Sequence, residues 1–373
     1  MSPVLMAPRR TPIGNAGHGF ADLTVIDLAA PVLAAVSREV RAAGIDAEID
    51  DVVLGNCLGP GGDPARVAAL RAGLGVGIPG VTVDRQCGSG LDAVMQAVTR
   101  VRAGADELLI AGGVESASTA PWRFWPPVGD ADPVRYTRAP FAPPEFPDPD
   151  MGVAADDLAR ARGIDRRRQD EYAERSHTLA AATDFTAEIV PVGALSRDQR
   201  IRSGMTVERL ARLRPSFGAN GTATAGNSCG ISDGAAALAV TTESRAAGLP
   251  ALRVLGCAVT GSDPALPGLG PAFAIRKLLR RTGFTVTDIG ILEITEAFAS
   301  VVLAVADELG IDESLICPQG GAIAMGHPWG ASGAILLVRL ASRMLAADGP
   351  ELGVAACAIG GGQGIAMLVE RMS

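Results

Sequence analysis

The chain has 373 residues, is 48% hydrophobic and only 4% aromatic, and contains 46 glycines. That length holds two or three domains, and the composition excludes a disordered or fibrous chain. A net charge of −8 argues against a nucleic-acid binder.

No charge-free apolar run reaches the ~18 residues of a membrane span, and the first ten residues do not read as a signal peptide. The six cysteines form no CxxC pair, so reduced thiols in a cytoplasmic protein are expected. His18, His177 and His327 are too few and too scattered for a His-based metal site.

In chain order, a short first strand ends in a turn at Arg10-Thr11-Pro12-Ile13-Gly14. Leu23 to Ala43 carries helical periodicity and stops at Gly44, and Asp51 to Asn56 reads as a strand. Pro64 to Gly73 is a helix, and Val81-Thr82-Val83 is a β-branched strand. Leu91, Val94, Met95, Val98 and Val101 then recur at helical spacing, and Glu107 to Ala111 is a strand. Strands alternating with helices predict a parallel-rich, doubly wound sheet.

The texture changes from Ala117 to Asp150, where nine prolines and no periodicity predict a lid or binding segment. Two helices follow over 151–182, split at Gly163, and a short helix and turn over 208–217. The sheet resumes at 235–240. A second half supplies strands at 252–259, 289–294 and 353–359, and helices at 271–282, 297–309 and 332–346.

The halves echo one another. Gly88-Ser89-Gly90, a helix, a strand and two glycines in the first answer Ala331-Ser332-Gly333, a helix, a strand and three glycines in the second. This predicts a duplicated α/β unit with a site at its seam. The expected division is 1–116 plus about 231–248 for the first half, 117–230 for an inserted loop domain, and 249–373 for the second half.

Cys87 stands where a strand turns into a helix. The helix N-terminus and nearby N–H groups would favour a thiolate and lower its pKa. A buried cysteine at a glycine-rich turn is the alternative. A cysteine nucleophile needs a base remote in sequence, and His327, held between Gly326 and Pro328, is the best candidate. Gly360-Gly361-Gly362 would aim N–H groups at a developing oxyanion, or simply make a tight turn. Thr295 reads as a helix N-cap with Phe298 in the core.

These stretches, with Ala111-Gly-Gly-Val-Glu-Ser, Leu213-Arg-Pro-Ser-Phe, Thr224-Ala-Gly-Asn and Asp233-Gly-Ala-Ala-Ala, resemble the thiolase superfamily almost end to end. The resemblance implies a five-layered αβαβα fold of two duplicated halves, with a loop domain inserted in the first. It implies a homodimer or homotetramer that uses coenzyme A thioesters as substrates and holds no permanent cofactor. It implies a ping-pong acyltransferase in which Cys87 is acylated, His327 is its base, and the N–H groups of Cys87 and Gly360 hold the thioester oxygen. Met151, Ala225, Ile231, Ala297 and Phe298 fall at positions lining the pantetheine channel.

Three positions depart from the family pattern. Thr295 replaces an Asn that holds a water beside the His. Ala358 replaces the Cys that serves as acid/base for the α-proton, and Cys357 one residue earlier points to the other face of a strand. Cys229 replaces a Ser that contacts the pantetheine arm. Trp329, beside the lid, would also reshape the acceptor side. The acyl-transfer half therefore reads as intact and the carbanion half as compromised. The expected function is transfer of an acyl group from Cys87 to a second acceptor, by Claisen-type condensation, decarboxylative condensation or simple transfer. The alternatives are an ordinary acetyl-CoA acetyltransferase or 3-ketoacyl-CoA thiolase with a replacement acid/base, such as Cys357 or Cys229, and a degenerate CoA-ester-binding subunit active only with a partner.

Overall fold

The computed structural model describes residues 1–45 and 47–372; Ser373, the expected end of the second half, lies outside them. The first half runs β1 (Pro3–Arg10), β2 (Gly14–Asn15), α1 (Val25–Ala42), β3 (Asp51–Gly55), α2 (Pro64–Arg71), β4 (Gly80–Val83), α3 (Ser89–Ala103) and β5 (Leu108–Glu115). An excursion follows with β6 (Arg123–Trp125), β7 (Val134–Tyr136), α4 (Met151–Arg162), α5 (Arg166–Ala182) and α6 (Val207–Leu210), before β8 (Ser232–Thr242). The remainder is β9 (Leu252–Gly261), α7 (Gly270–Thr282), β10 (Ile291–Ile294), α8 (Ala299–Leu309), α9 (Ala322–Met325), α10 (Trp329–Met344), β11 (Leu352–Ile359) and β12 (Gln363–Arg371).

From one edge inward the strands run β4-β3-β5-β8-β1, and from the other edge β10-β11-β12-β9. The two sets meet where Val4 and Leu5 pair with Arg253 and Leu252. In the first set β4, β3 and β5 are parallel, while β8 runs antiparallel to both β5 and β1. The second set repeats this order: β10 and β11 are parallel, and β12 is antiparallel to β11 and β9. The counterpart of β4 is a single parallel bridge between Leu292 and Ile316.

The sheet is therefore mixed, not parallel-rich as the element order predicted. The cause is local. β12 follows β11 through Gly360-Gly361-Gly362, with Gly361 and Gly362 at φ of 78° and 74°. So short a turn can only return the chain antiparallel, and two left-handed residues in a row favour glycine. The β12 strand and the β6–β7 hairpin have no counterpart in the sequence reading.

Five layers result. α1 and α2 cover one face of the first strand set, and α7, with α8 packed on it, covers the outer face of the second. α3 and α10 lie side by side between the two sets. They touch at glycines. A Cβ on Gly333 would lie 2.4 Å from the Leu91 nitrogen, and one on Gly90 2.8 Å from the Gly330 oxygen. The Gly-Ser-Gly and Ala-Ser-Gly echoes are thus the contact points of the duplicated helices, and any side chain there would drive them apart.

The excursion crosses to the second half. Leu158, Ala159, Tyr172 and Ala173 share one apolar core with Ile294, Val302 and Ile323. The Glu296 carboxylate fixes this docking by accepting from Tyr172 Oη at 2.8 Å, Ser176 Oγ at 2.7 Å and the Ile323 N–H at 3.1 Å. Arg10, at the end of β1, pairs with Asp198 at 2.7 Å and with Glu188, which also meets Arg339 of α10. All three parts of the chain therefore meet in one buried charge cluster.

Candidate active site

A cavity of about 410 Å³ opens where the two halves and the excursion converge. Cys87, Met151, Cys229, Ile231, Ala297, Phe298, His327, Trp329, Ala358 and Gly360 are among its lining residues. Eight of the ten residues expected to carry chemistry or bind substrate are therefore together. Ala225 and Thr295 are not. Ala225 is exposed, with its carbonyl accepting from Arg200 Nη2 at 3.0 Å. Thr295 is buried, and its hydroxyl donates to the Cys357 sulfur at 3.3 Å. Nor is Thr295 a helix N-cap: α8 starts at Ala299 after Phe298, and the Phe298 ring borders the cavity.

Cys87 lies between β4 and α3, immediately after Gln86, whose φ of 48° is left-handed. Such a residue in a non-glycine position stores strain that its surroundings must hold. The hold is visible: the Gln86 carbonyl accepts from Ser89 Oγ at 2.6 Å, and the Gln86 N–H donates to Asp84 Oδ1 at 2.7 Å. A Cβ on Gly88 would meet Ile359 at 2.6 Å, so glycine lets the turn pack on β11.

The expected lowering of the Cys87 pKa is overturned. Burial pushes the thiol up, and the nearby Cys357 and Cys229 thiols add to the shift. Desolvation of a thiolate outweighs the backbone hydrogen bond that favours it. Burial therefore favours the thiol form of Cys87 over the thiolate.

His327 is buried, with Nδ1 and Ser332 Oγ sharing a hydrogen bond of 2.5 Å. That contact fixes the ring, and Nε2 has no partner among the described residues. Burial lowers the His327 pKa to about 4, so the imidazole is neutral at pH 7 and free to accept a proton. Its backbone N–H donates to the Gly230 carbonyl at 3.1 Å, tying the His loop to the segment that carries Cys229.

The His loop is also held from below by Glu115, a residue the sequence reading gave no role. Its carboxylate accepts from the N–H of Gly330 at 3.1 Å, from those of Cys57 and Leu58 at 3.1 and 3.2 Å, and from Asn56 Nδ2 at 2.9 Å. The only sequence signal was its place in Ala111-Gly-Gly-Val-Glu-Ser.

Along β11 the side chains alternate as expected. Ala356 and Ala358 face the α7–α8 side, and Cys357 faces the α3–α10 layer. Ala358 borders the cavity and carries no proton, while Cys357 is wholly buried. No group of His, Cys, Asp and Glu suited to a metal occurs among the described residues.

Comparison with known proteins places this arrangement. Residues 4–244 match the thiolase N-terminal domain and residues 249–371 the thiolase C-terminal domain. The chain is 42% identical to an acetyl-CoA acetyltransferase of Escherichia coli and 38% identical to one of Pseudomonas aeruginosa, each over 99% of both chains. The crystal structure of the Bacillus anthracis acetyl-CoA acetyltransferase superposes with a TM-score of 0.90 at 35% identity, covering 100% of this chain and 99% of that one. The chain therefore belongs to the thiolase superfamily and has the thiolase fold.

Proposed function

We infer that this enzyme transfers acyl groups from acyl-CoA by way of an acyl-enzyme on Cys87, and passes them to the α-carbon of a second CoA thioester. The observation that carries this reading is one cavity bordered by a thiol, a neutral imidazole with a free Nε2, and Gly360. His327 takes the Cys87 proton as the sulfur attacks the thioester carbonyl. The N–H groups of Cys87 and Gly360 stabilise the oxyanion. The largely apolar wall of Met151, Phe217, Ile231, Phe298 and Val301 suits a pantetheine arm.

Mass spectrometry after mixing with acetyl-CoA or longer acyl-CoAs tests it. An adduct on Cys87 is expected, and it should vanish in Cys87→Ser; no adduct with any acyl-CoA would sink the reading. Ala358 favours a second version in which loss of CO₂ makes the carbanion. Malonyl-CoA consumed by the acyl-enzyme while acetyl-CoA is not would establish that version.

The working unit in this reading is a homodimer or homotetramer in the cytoplasm. β4 is an edge strand that carries exposed Val81, with exposed Trp122 beside it, a surface that a second copy would cover. No helix among the described residues is long and apolar enough to cross a membrane. Light scattering reports the oligomeric state.

A further inference from the structure

With Ala358 inert, some other group must take the α-proton of the second thioester. Among the described residues lining the cavity, the titratable side chains are Cys87, Asp150, Cys229 and His327. Cys87 is acylated at that stage. Asp150 is exposed, with its carboxylate 3.7 Å from Arg138. His327, with its pKa near 4, is a weak base towards so weak an acid. Cys357 does not border the cavity, and its sulfur already accepts from Thr295.

Cys229 remains, and its setting is built. Its N–H donates to the Ala297 carbonyl at 2.9 Å, and Ser228 bridges to Phe298, so the segment is fixed against the cavity wall. Arg200 lies behind it. The guanidinium presses on Gly230, where a Cβ would sit 2.7 Å from Nη1. Its hydrogen bonds go to backbone carbonyls: Ala225 at 3.0 Å, Ser228 at 3.3 Å and Ile323 at 3.3 Å. No carboxylate pairs with it among the described residues. Carbonyls orient a cation but do not neutralise it, so the Arg200 charge acts on the Cys229 sulfur, with the Glu296 carboxylate opposing it. Burial raises the Cys229 pKa to about 12, and Arg200 is the largest influence opposing that rise. The sulfur is also near enough to Cys87 to affect its titration.

We propose that Cys229 is the acid/base of the carbon–carbon bond step, and that Arg200 is the positioning cation that stabilises its thiolate. This rests on the reading of Cys87 as the acylated residue. The Cys87 proton passes to His327 as the Cys87 sulfur bonds the acyl carbon. The bond from that carbon to CoA sulfur breaks, and the CoA thiolate takes the proton from His327 and leaves as the thiol, while Cys229 gives its own proton to solvent. The Cys229 thiolate then removes one α-proton from the second acyl-CoA. The electron pair left on the α-carbon forms the new bond to the acyl carbon and expels the Cys87 thiolate. The Cys87 thiolate takes back a proton from solvent through His327, and Cys229 ends as the thiol. In cleavage the same groups act in reverse, with the Cys229 thiol protonating the departing α-carbon.

The test compares Cys229→Ser, Arg200→Met, Arg200→Lys and Cys357→Ser with the unmodified enzyme. Three readouts are taken: the Cys87 adduct by mass spectrometry, exchange of acetyl-CoA α-protons in D₂O, and thiolysis of a 3-ketoacyl-CoA. Cys229→Ser should still form the adduct but lose exchange and thiolysis by about 10²–10⁴-fold. Arg200→Met should move the pH onset of exchange upward, with Arg200→Lys restoring most of it. Cys357→Ser should match the unmodified enzyme. Exchange at full rate in an acylated Cys229→Ser enzyme, or its loss in Cys357→Ser, overturns the proposal and leaves the acyl-enzyme reading standing. Absence of any adduct in the unmodified enzyme overturns both.

Discussion

The Thr295 hydroxyl donates to the Cys357 sulfur across 3.3 Å, so the two groups satisfy each other inside the protein and away from its cavity. Thr295 follows β10, Cys357 lies on the neighbouring β11, and both are buried. Cys357 and Cys317, each 0% exposed, should therefore resist iodoacetamide in the native protein, whereas Cys87 and Cys229 border open space and should be labelled first as pH rises. Peptide mapping after timed alkylation checks the order. Labelling of Cys357 as fast as Cys87 would contradict this packing.

The His327 imidazole is neutral far below the usual histidine range, because burial holds its pKa near 4. The rate of Cys87 acylation should therefore stay level as pH falls through 6.5 and drop only as it nears 4. A pre-steady-state burst measured from pH 4 to 8 reads this directly. His327→Asn should slow the burst by about 10²–10⁴-fold, the usual worth of a positioned base.

Glu293 offers a test on stability. It is buried on β10 with Oε2 unpartnered among the described residues, and burial raises its pKa from 4.5 to about 8. Between those values the folded state keeps a proton that the unfolded state releases. Its contribution is therefore full below about pH 4.5 and is lost as pH rises through 8. Glu293→Gln removes that titration, so the variant should gain on the parent by about 1.4 kcal/mol per pH unit across the window. Urea unfolding of both proteins at pH 5, 6 and 7 gives the difference; a constant offset would refute it.

Glu115 gathers N–H groups from the 56–58 loop and from the start of α10. Glu115→Ala would leave several buried donors unpaired, at about 1–3 kcal/mol each. A loss of about 3 kcal/mol or more is expected by chemical denaturation, together with slower acylation because the His loop loses its support. Glu115→Gln keeps the shape and should cost less.

The α3–α10 crossing predicts a packing defect. At Gly333 a Cβ would meet Leu91 atoms at 2.4 and 2.6 Å, and the nearest is backbone. Neither helix can yield without moving the turn that holds Cys87. Gly333→Ala should cost about 1–3 kcal/mol and reduce acylation, read by thermal unfolding and by the burst amplitude.

Much of this protein is written locally. The periodicities of α1, α3, α7 and α10, the strand–turn–helix around Cys87 and the glycine-fixed His327 are set by neighbours in sequence, because side-chain spacing decides which face is buried. The duplication could be seen for the same reason. The sequence also placed Cys357 and Ala358 on opposite faces of β11, since a strand alternates with period two.

Other features were settled only by contacts distant along the chain. The pairing of β12 with β9 joins strands more than 100 residues apart. The upward shift of the Cys87 thiol comes from burial at a cavity that three separate parts of the chain enclose. Arg200 gives no sign in sequence of lying behind Cys229, and Thr295 gives none of turning toward Cys357. Charge stabilisation and desolvation are properties of assembled surroundings, and those exist only once the excursion has docked across the seam of the two halves.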